Sequence, residues 1–245
     1  MSVVEFHRSL KLRWKQLRTA RWRREYLNAI SEPDYRRRFD RLYVQRLWSR
    51  IAGTQETGCG GGSTLEATQV FRDELERFLA TQPAGVFFDA PCGDFYFMSR
   101  VRFPAGWSYV GGDISPAALR DARRFAPDRD FREFDLLTDP FPASDAWLCR
   151  ACLFHLSFAD IRAVLENFVR SDGKLAIITS HTDVPTNSDI ATGDYRPLDL
   201  TAPPINLPKP SRFLRDISTV ASPWIAGVWS REEIASSLAA VPQPE

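Results

Sequence analysis

The densest chemistry in the sequence lies in Asp89-Ala90-Pro91-Cys92-Gly93-Asp94, followed about twenty residues later by Asp113. Gly93 lets the backbone pass close to a ligand at a strand–helix turn. A carboxylate at the position of Asp113 accepts both hydroxyls of a ribose, and a third acid, Asp135, stands where an adenine amino group would sit. A pyrophosphate-bearing dinucleotide would want Gly-x-Gly-x-x-Gly at this turn, but here one glycine is flanked by Asp89 and Asp94. Carboxylates repel phosphate. They suit instead an adenosine cofactor whose amino-acid end carries an ammonium and a sulfonium.

These acids close short apolar runs that read as buried parallel strands. Val86–Ala90 ends at the first acid, Tyr109–Asp113 at the second, and Phe131–Phe134 leads into the third. Ala146–Cys149 and Lys174–Thr179 read as a fourth and fifth strand, and Ile225–Trp229 as a late one before a short helix from Ser230. Ser115-Pro116-Ala117 opens a helix with a cap followed by proline. Another helix, Phe158 to Val169, stops at Ser171-Asp172-Gly173. Repeating β-α units predict an α/β, Rossmann-like fold: a mostly parallel sheet, helices on both faces, and a ligand crevice at the strands' C-terminal ends.

Before the first strand, the only glycine-rich tract (Thr57 to Ser63) precedes a helix expected to be capped by Ser63 or Thr64 and to run through Leu79. Residues 5–30 and 34–51 read as two helices separated by a turn at Ser31–Asp34. The tract 182–223 holds seven prolines and little periodicity, and is expected to form an ordered lid.

A chain of 245 residues, 44% hydrophobic, supplies one well-packed core, read here as a domain over 54–245 behind a helical extension over 1–53. Residues 1–50 carry fourteen Lys and Arg against five Asp and Glu, although the whole chain is only +1. That front end suits nucleic acid, anionic lipid or an anionic substrate, or is simply a solvated amphipathic helical pair with Phe39, Leu42, Val44 and Leu47 near helical spacing. No apolar run approaches the ~20 residues of a membrane span, and charges occupy the place of a signal peptide's apolar stretch. Four scattered cysteines and three histidines make neither a disulfide framework nor a zinc site. The expectation is buried thiols in the cytoplasm, with no metal.

The chain resembles the class I S-adenosylmethionine (SAM)-dependent methyltransferases, with Asp89–Asp94 as their first motif, Asp113 as the second-strand acid and Asp135 as the third-strand acid. More narrowly it resembles a bacterial subgroup sharing five segments in order: Gly62–Thr68, Asp89–Phe95, Cys149–Ser157, Asn187–Leu198 and Pro203–Pro208. The resemblance covers roughly residues 54–235. Phe95-Tyr96-Phe97-Met98 departs from it by being more aromatic. It implies that Asp89, Ala90, Pro91, Gly93 and Asp94 hold the methionine portion, Asp113 the ribose, Ile114 the adenine face, and Asp135 with Leu136 the adenine edge. Cys149 and Arg150 would lie beside the sulfonium. Ser63 and Thr64, at a helix N-terminus, would offer amides to the cofactor carboxylate.

For the acceptor, His155 is the candidate general base, because a group titrating near neutrality suits deprotonation of a hydroxyl. The competing reading is a histidine that only bonds nearby backbone. His181 and Asp183, after the fifth strand, are the second choice. Asp194, Tyr195 and Arg196 could grip a polar acceptor, Arg196 by a bidentate contact, or Arg196 could merely pin its own loop. Trp224 and Trp229 read as core.

The activity implied is methyl transfer from SAM to a small-molecule acceptor, leaving S-adenosylhomocysteine, with a sugar hydroxyl favoured. N-methylation of an amine or peptide is the alternative. Nucleic-acid methylation is disfavoured, because Cys149-Arg150-Ala151-Cys152 stands where an Asn/Asp-Pro-Pro-aromatic run would be expected. A relic fold that binds without catalysing has no reason to keep the acids together. The charge argument gives a direct expectation: calorimetric titration should show binding of SAM or S-adenosylhomocysteine and none of NAD, and the reverse result would overturn it.

Overall fold

The computed structural model describes residues 19–217 and 223–240. Its strands are β1 (Val86–Asp89), β2 (Ser108–Asp113), β3 (Asp130–Glu133), β4 (Ala146–Cys149), β5 (Leu175–His181), β6 (Arg212–Arg215) and β7 (Trp224–Ser230). They form one sheet in the order β3-β2-β1-β4-β5-β7-β6. β1 to β5 run parallel, and β7 lies antiparallel between β5 and β6. The fold is the expected mostly parallel α/β sheet, and six strands fall within two residues of their expected bounds. β6 is new. It hides in the proline-rich tract because only Leu214 of its four residues is buried, too short a pattern to show alternation.

Helix α1 occupies residues 19–30 of the described chain, and the expected helical start from residue 5 lies outside the described residues. The single helix expected over 34–51 is instead α2 (Tyr35–Val44) and α3 (Leu47–Ala52), broken where Arg46 adopts a left-handed φ of 52°. Asp34 caps α2 by accepting from the Arg36 N–H. The helix expected from Ser63 or Thr64 starts later, as α4 (Gln69–Ala80). Gly61–Ser63 is a separate 3-10 turn, and Thr64 caps only a local turn by accepting from the Ala67 N–H.

The other helices begin and end as their caps predict. Ser115 caps α5 (Pro116–Phe125) and Ser157 caps α6 (Phe158–Val169). The last described helix is α7 (Arg231–Ala240).

Period-two alternation sends the strand side chains to two cores. Phe88, Trp147, Cys149, Ala176 and Ile178 pack on the α6 and α7 side. Phe87, Ala146, Leu148 and Ile177 pack on the α4 and α5 side. Leu198, Leu200 and Leu207 of the proline-rich tract join the first core, tied by the Leu198 carbonyl to the His181 N–H and by the Leu200 N–H to the Ser180 hydroxyl. That tract is therefore sheet cover, anchored by its leucines.

Trp147 is fully buried at the centre, 4.9 Å from Phe141 and 5.0 Å from Phe168 between ring centroids, and its indole N–H donates to the Ala90 carbonyl. Trp147→Ala is expected to cost about 3–5 kcal/mol of stability, read from denaturant unfolding.

Candidate active site

The C-terminal ends of β1, β2 and β4 open on a cavity of about 1080 Å³ including its mouth. Asp89, Pro91, Gly93, Asp94, Asp113, Ile114, Asp135 and Leu136 all line it, as do Ser63, Arg150 and His155. The parallel register explains the gathering, since Asp89 and Asp113 end β1 and β2, Asp94 lies in the turn after β1, and Asp135 stands two residues past the end of β3.

The Asp113 carboxylate accepts from the Gly93 N–H and the Ser115 N–H, each at 2.8 Å. This ties the β1 turn to the end of β2. Gly93 has a φ of +56°, and a Cβ there would lie 2.5 Å from Cys59 Sγ, so the position takes only glycine without rearrangement. Asp94 accepts from the Thr57 hydroxyl at 2.6 Å and the Gly58 N–H at 2.8 Å, which draws the glycine tract over the turn. A Cβ on Gly58 would meet the Tyr43 ring at 2.4 Å. The tract is glycine-rich here because an aromatic side chain of α2 lies against it.

Burial pushes the Asp89 carboxyl up to about 7, against the opposing hydrogen bond from the Tyr109 hydroxyl. Burial also raises Asp113 to about 6, opposed by its two backbone donors. Asp135 accepts from the Tyr35 hydroxyl at 2.5 Å and pairs with Arg36 at 2.8 Å.

At the other end, His155 packs against Trp48, with 5.3 Å between ring centroids. Its Nδ1 lies 2.7 Å from the Asp194 carbonyl. A carbonyl can only accept, so the proton belongs on Nδ1 and Nε2 keeps its lone pair. Burial pushes the imidazole down to about 4, below the near-neutral titration expected from the sequence, so it is neutral at physiological pH but a weaker base than that expectation gave. Phe39, Phe97, Leu156, Ala151 and Cys152 complete a largely apolar wall.

Several expected site residues lie off this wall. Ala90 and Cys149 are fully buried, because alternation turns their side chains into the core below the cavity. Thr64 is taken up by its own turn. His181 is buried, accepting from the Leu198 N–H at 3.0 Å, and Asp183 follows it outside the wall. Arg196 does not face the cavity. It donates to the Ser188 and Leu153 carbonyls and covers the Phe158 ring at 5.3 Å, so it pins its own loop. Asp194 accepts from the Tyr26 hydroxyl at 3.2 Å, and only its backbone carbonyl serves the site. Tyr195 packs at a tilt beside His155, with 5.8 Å between ring centroids, without lining the cavity. Among the described residues, the proline-rich tract, expected as a lid, contributes no lining residue.

The cover comes instead from the front helices, whose contribution the sequence reading missed. Tyr35, Phe39, Tyr43 and Trp48 all line the cavity. Asp40 accepts from the Ser115 hydroxyl at 2.6 Å and the Ala117 N–H, and the Tyr43 hydroxyl donates to Asp121 at 2.8 Å. The signal was present: Tyr35, Phe39 and Tyr43 recur every fourth residue and share one helix face. Part of the basic charge is spent internally, Arg41 on Glu32 and Arg50 on Glu25 as well as Arg36 on Asp135. The four cysteines are free thiols. Among the described residues no group of three His, Cys, Asp or Glu side chains could hold a metal, and no helix is long and apolar enough to cross a membrane.

A carboxyl whose pKa is raised by folding holds a proton that the unfolded chain has released, so its contribution to stability is lost as pH rises. For Asp89 that window runs from about 4 to about 7. His155, lowered by burial, tilts the other way below pH 6.5. The clean readout is therefore a difference. Asp89→Asn should gain stability relative to the ligand-free parent as pH rises from 5 to 8, measured by denaturant unfolding at each pH. A constant difference would contradict the assignment.

Residues 88–177 match a family model described as a methyltransferase domain. Among curated proteins no match is found. Among solved structures the chain is similar to magnesium protoporphyrin IX methyltransferase from Synechocystis PCC 6803 with bound SAM, at 17% identity and a TM-score of 0.57. That alignment covers 81% of this chain and 98% of the other. The same enzyme with bound SAH gives 17% identity and a TM-score of 0.57, covering 79% of this chain and 96% of that one. Residues 88–177 thus match a methyltransferase-domain model, and the mostly parallel sheet around them shares the fold of that solved methyltransferase.

Proposed function

We propose that this chain is a SAM-dependent O-methyltransferase of a small molecule, with S-adenosylhomocysteine as its product. The observation that carries the reading is the pairing, in one cavity, of an acid-rich end suited to an adenosine sulfonium with a neutral histidine at the other end. SAM, when bound, supplies a methyl group made electrophilic by the sulfonium. Asp113 and Asp135 hold the adenosine portion, and Asp89 faces the cationic amino-acid end. With SAM bound as the methyl source, His155 would take the acceptor's hydroxyl proton on Nε2, and S-adenosylhomocysteine would be left. The Asp194 carbonyl keeps the ring in the tautomer that can do this.

The wall of Phe39, Trp48, Phe97 and Leu156 favours an acceptor with an apolar or flat face. A sugar hydroxyl, the class the sequence favours, fits such a wall when the carbon face of its ring stacks on the Trp48 indole. The enclosed, aromatic walls and the internal pairing of front-helix arginines speak against a nucleic-acid substrate. N-methylation of an amine needs no base of this kind and is the reading to fall back on if hydroxyl acceptors fail.

Incubation with labelled SAM and panels of glycosides, phenols and amines tests the proposal. Transfer to amines alone would overturn it. With an active acceptor, His155→Asn is expected to lower kcat by roughly 10²–10⁴-fold while leaving S-adenosylhomocysteine affinity within a few-fold. Trp48→Ala should raise the acceptor KM, with a smaller effect on kcat.

A further inference from the structure

We infer that Tyr26 and Arg38, on the front helices, are positioning residues that fix the orientation and tautomer of His155, acting through the backbone of residues 192–194. The inference rests on the O-methyltransferase reading above and deepens it, since it says what aims that reading's base. His155 is gripped twice by this short segment. Its ring Nδ1 lies 2.7 Å from the Asp194 carbonyl, and its own carbonyl accepts from the Gly193 N–H at 2.7 Å. Whatever fixes Gly193 and Asp194 therefore fixes where the ring points and which nitrogen carries the proton.

The segment is tied down from two directions. From α6, the Ser157 N–H donates to the Thr192 hydroxyl at 2.9 Å, and that hydroxyl donates to Asp160. From the front helices come Arg38 and Tyr26. Arg38 donates from Nη1 to the Thr192 carbonyl, and from Nε and Nη2 to the Glu32 carbonyl at 2.9 and 2.6 Å. Its stem presses on Gly193, where a Cβ would stand 2.4 Å from Arg38 Cδ and where φ is +100°. The Tyr26 hydroxyl lies 3.2 Å from the Asp194 carboxylate and 3.3 Å from the Gly193 carbonyl.

The use made of Arg38 sets it apart from its neighbours. Arg36, Arg41 and Arg50 each meet a carboxylate. Arg38 instead joins two neutral main-chain carbonyls, one beside its own helix and one 154 residues further on. A rigid guanidinium fork spent on carbonyls fixes geometry and balances no charge. On the other side of the imidazole, Trp48 of α3 packs at 5.3 Å. The front helices thus hold one face of the ring directly and its Nδ1 edge through the segment. A base displaced by as little as 1 Å can lose on the order of 100-fold in rate, so α1 to α3 belong to the working site.

Nitrogen NMR of the full chain carrying isotope-labelled histidine, at neutral pH, reads the tautomer directly, with His155→Asn assigning the signal. The parent should show Nδ1 protonated and Nε2 bare. A double variant, Tyr26→Phe with Arg38→Met, keeps the aromatic ring and most of the stem but removes the donors. It should show the proton shared between the two nitrogens. On an active acceptor its kcat should fall by roughly 10- to 100-fold, with acceptor KM and S-adenosylhomocysteine affinity within a few-fold. Tyr26→Phe alone should change both readouts in the same direction by less, and it decides should the double variant fail to fold. A parent His155 protonated on Nε2 overturns the inference, as does a tautomer unchanged in the folded variant that decides. A loss of S-adenosylhomocysteine affinity as large as the loss of kcat marks a merely structural role and also overturns it. The tautomer readout needs no acceptor, so it stands apart from the reading above. A shifted tautomer with kcat unchanged keeps the clasp and removes the base role of His155.

Discussion

The Gly93 N–H donating to the Asp113 carboxylate is the contact on which the site is built. It joins the turn after β1 to the end of β2, and the Ser115 N–H on the second oxygen joins both to the start of α5. Three elements thereby converge on one buried carboxylate with its oxygens oriented before any ligand arrives. The left-handed φ of Gly93 and the Cys59 sulfur, 2.5 Å from where a Cβ would stand, leave no room for a side chain. The close approach of backbone to ligand and the orientation of the acid are thus one constraint.

A cavity lined by four carboxylates is expensive to bury unless something offsets the charge. The protein offsets it locally. Tyr109 covers Asp89, backbone amides satisfy Asp113, Thr57 and Gly58 hold Asp94, and Tyr35 with Arg36 covers Asp135. The two acids with the most costly burial stay close to neutrality in their titration, which leaves them ready to gain from a cationic ligand. The same economy explains the front helices. Arg36 and Tyr35 meet Asp135 and Tyr43 meets Asp121, and the aromatic face of α2 lines the cavity beside Asp135.

The site therefore has two characters set by two parts of the chain. The strand ends supply charge and hydrogen bonds. The front helices and the segment after β4 supply rings: Phe39 and Trp48 from the first, and His155, packed against Trp48, from the second. Polar recognition of a cofactor and apolar seating of an acceptor can then vary independently, since they come from different elements.

The sequence by itself determined the α/β class, the parallel strand order's acids and the caps of α5 and α6, because these rest on local periodicity and on short-range hydrogen bonds. Asp89, Gly93, Asp113 and Asp135 were legible for the same reason: a strand end is a local feature, and parallel pairing brings successive strand ends together. It did not determine what covers the site. Tyr35, Phe39, Tyr43 and Trp48 face the cavity only because α2 docks through Asp40 and Tyr43 on α5, a contact between residues some 80 positions apart in sequence. Nor could it separate Arg150, on the wall, from Arg196, in its own loop, since both follow apolar stretches in motifs of similar appearance. Which guanidinium meets Asp216 and which meets backbone carbonyls is decided by chain packing across the sheet, and only the tertiary structure fixes that.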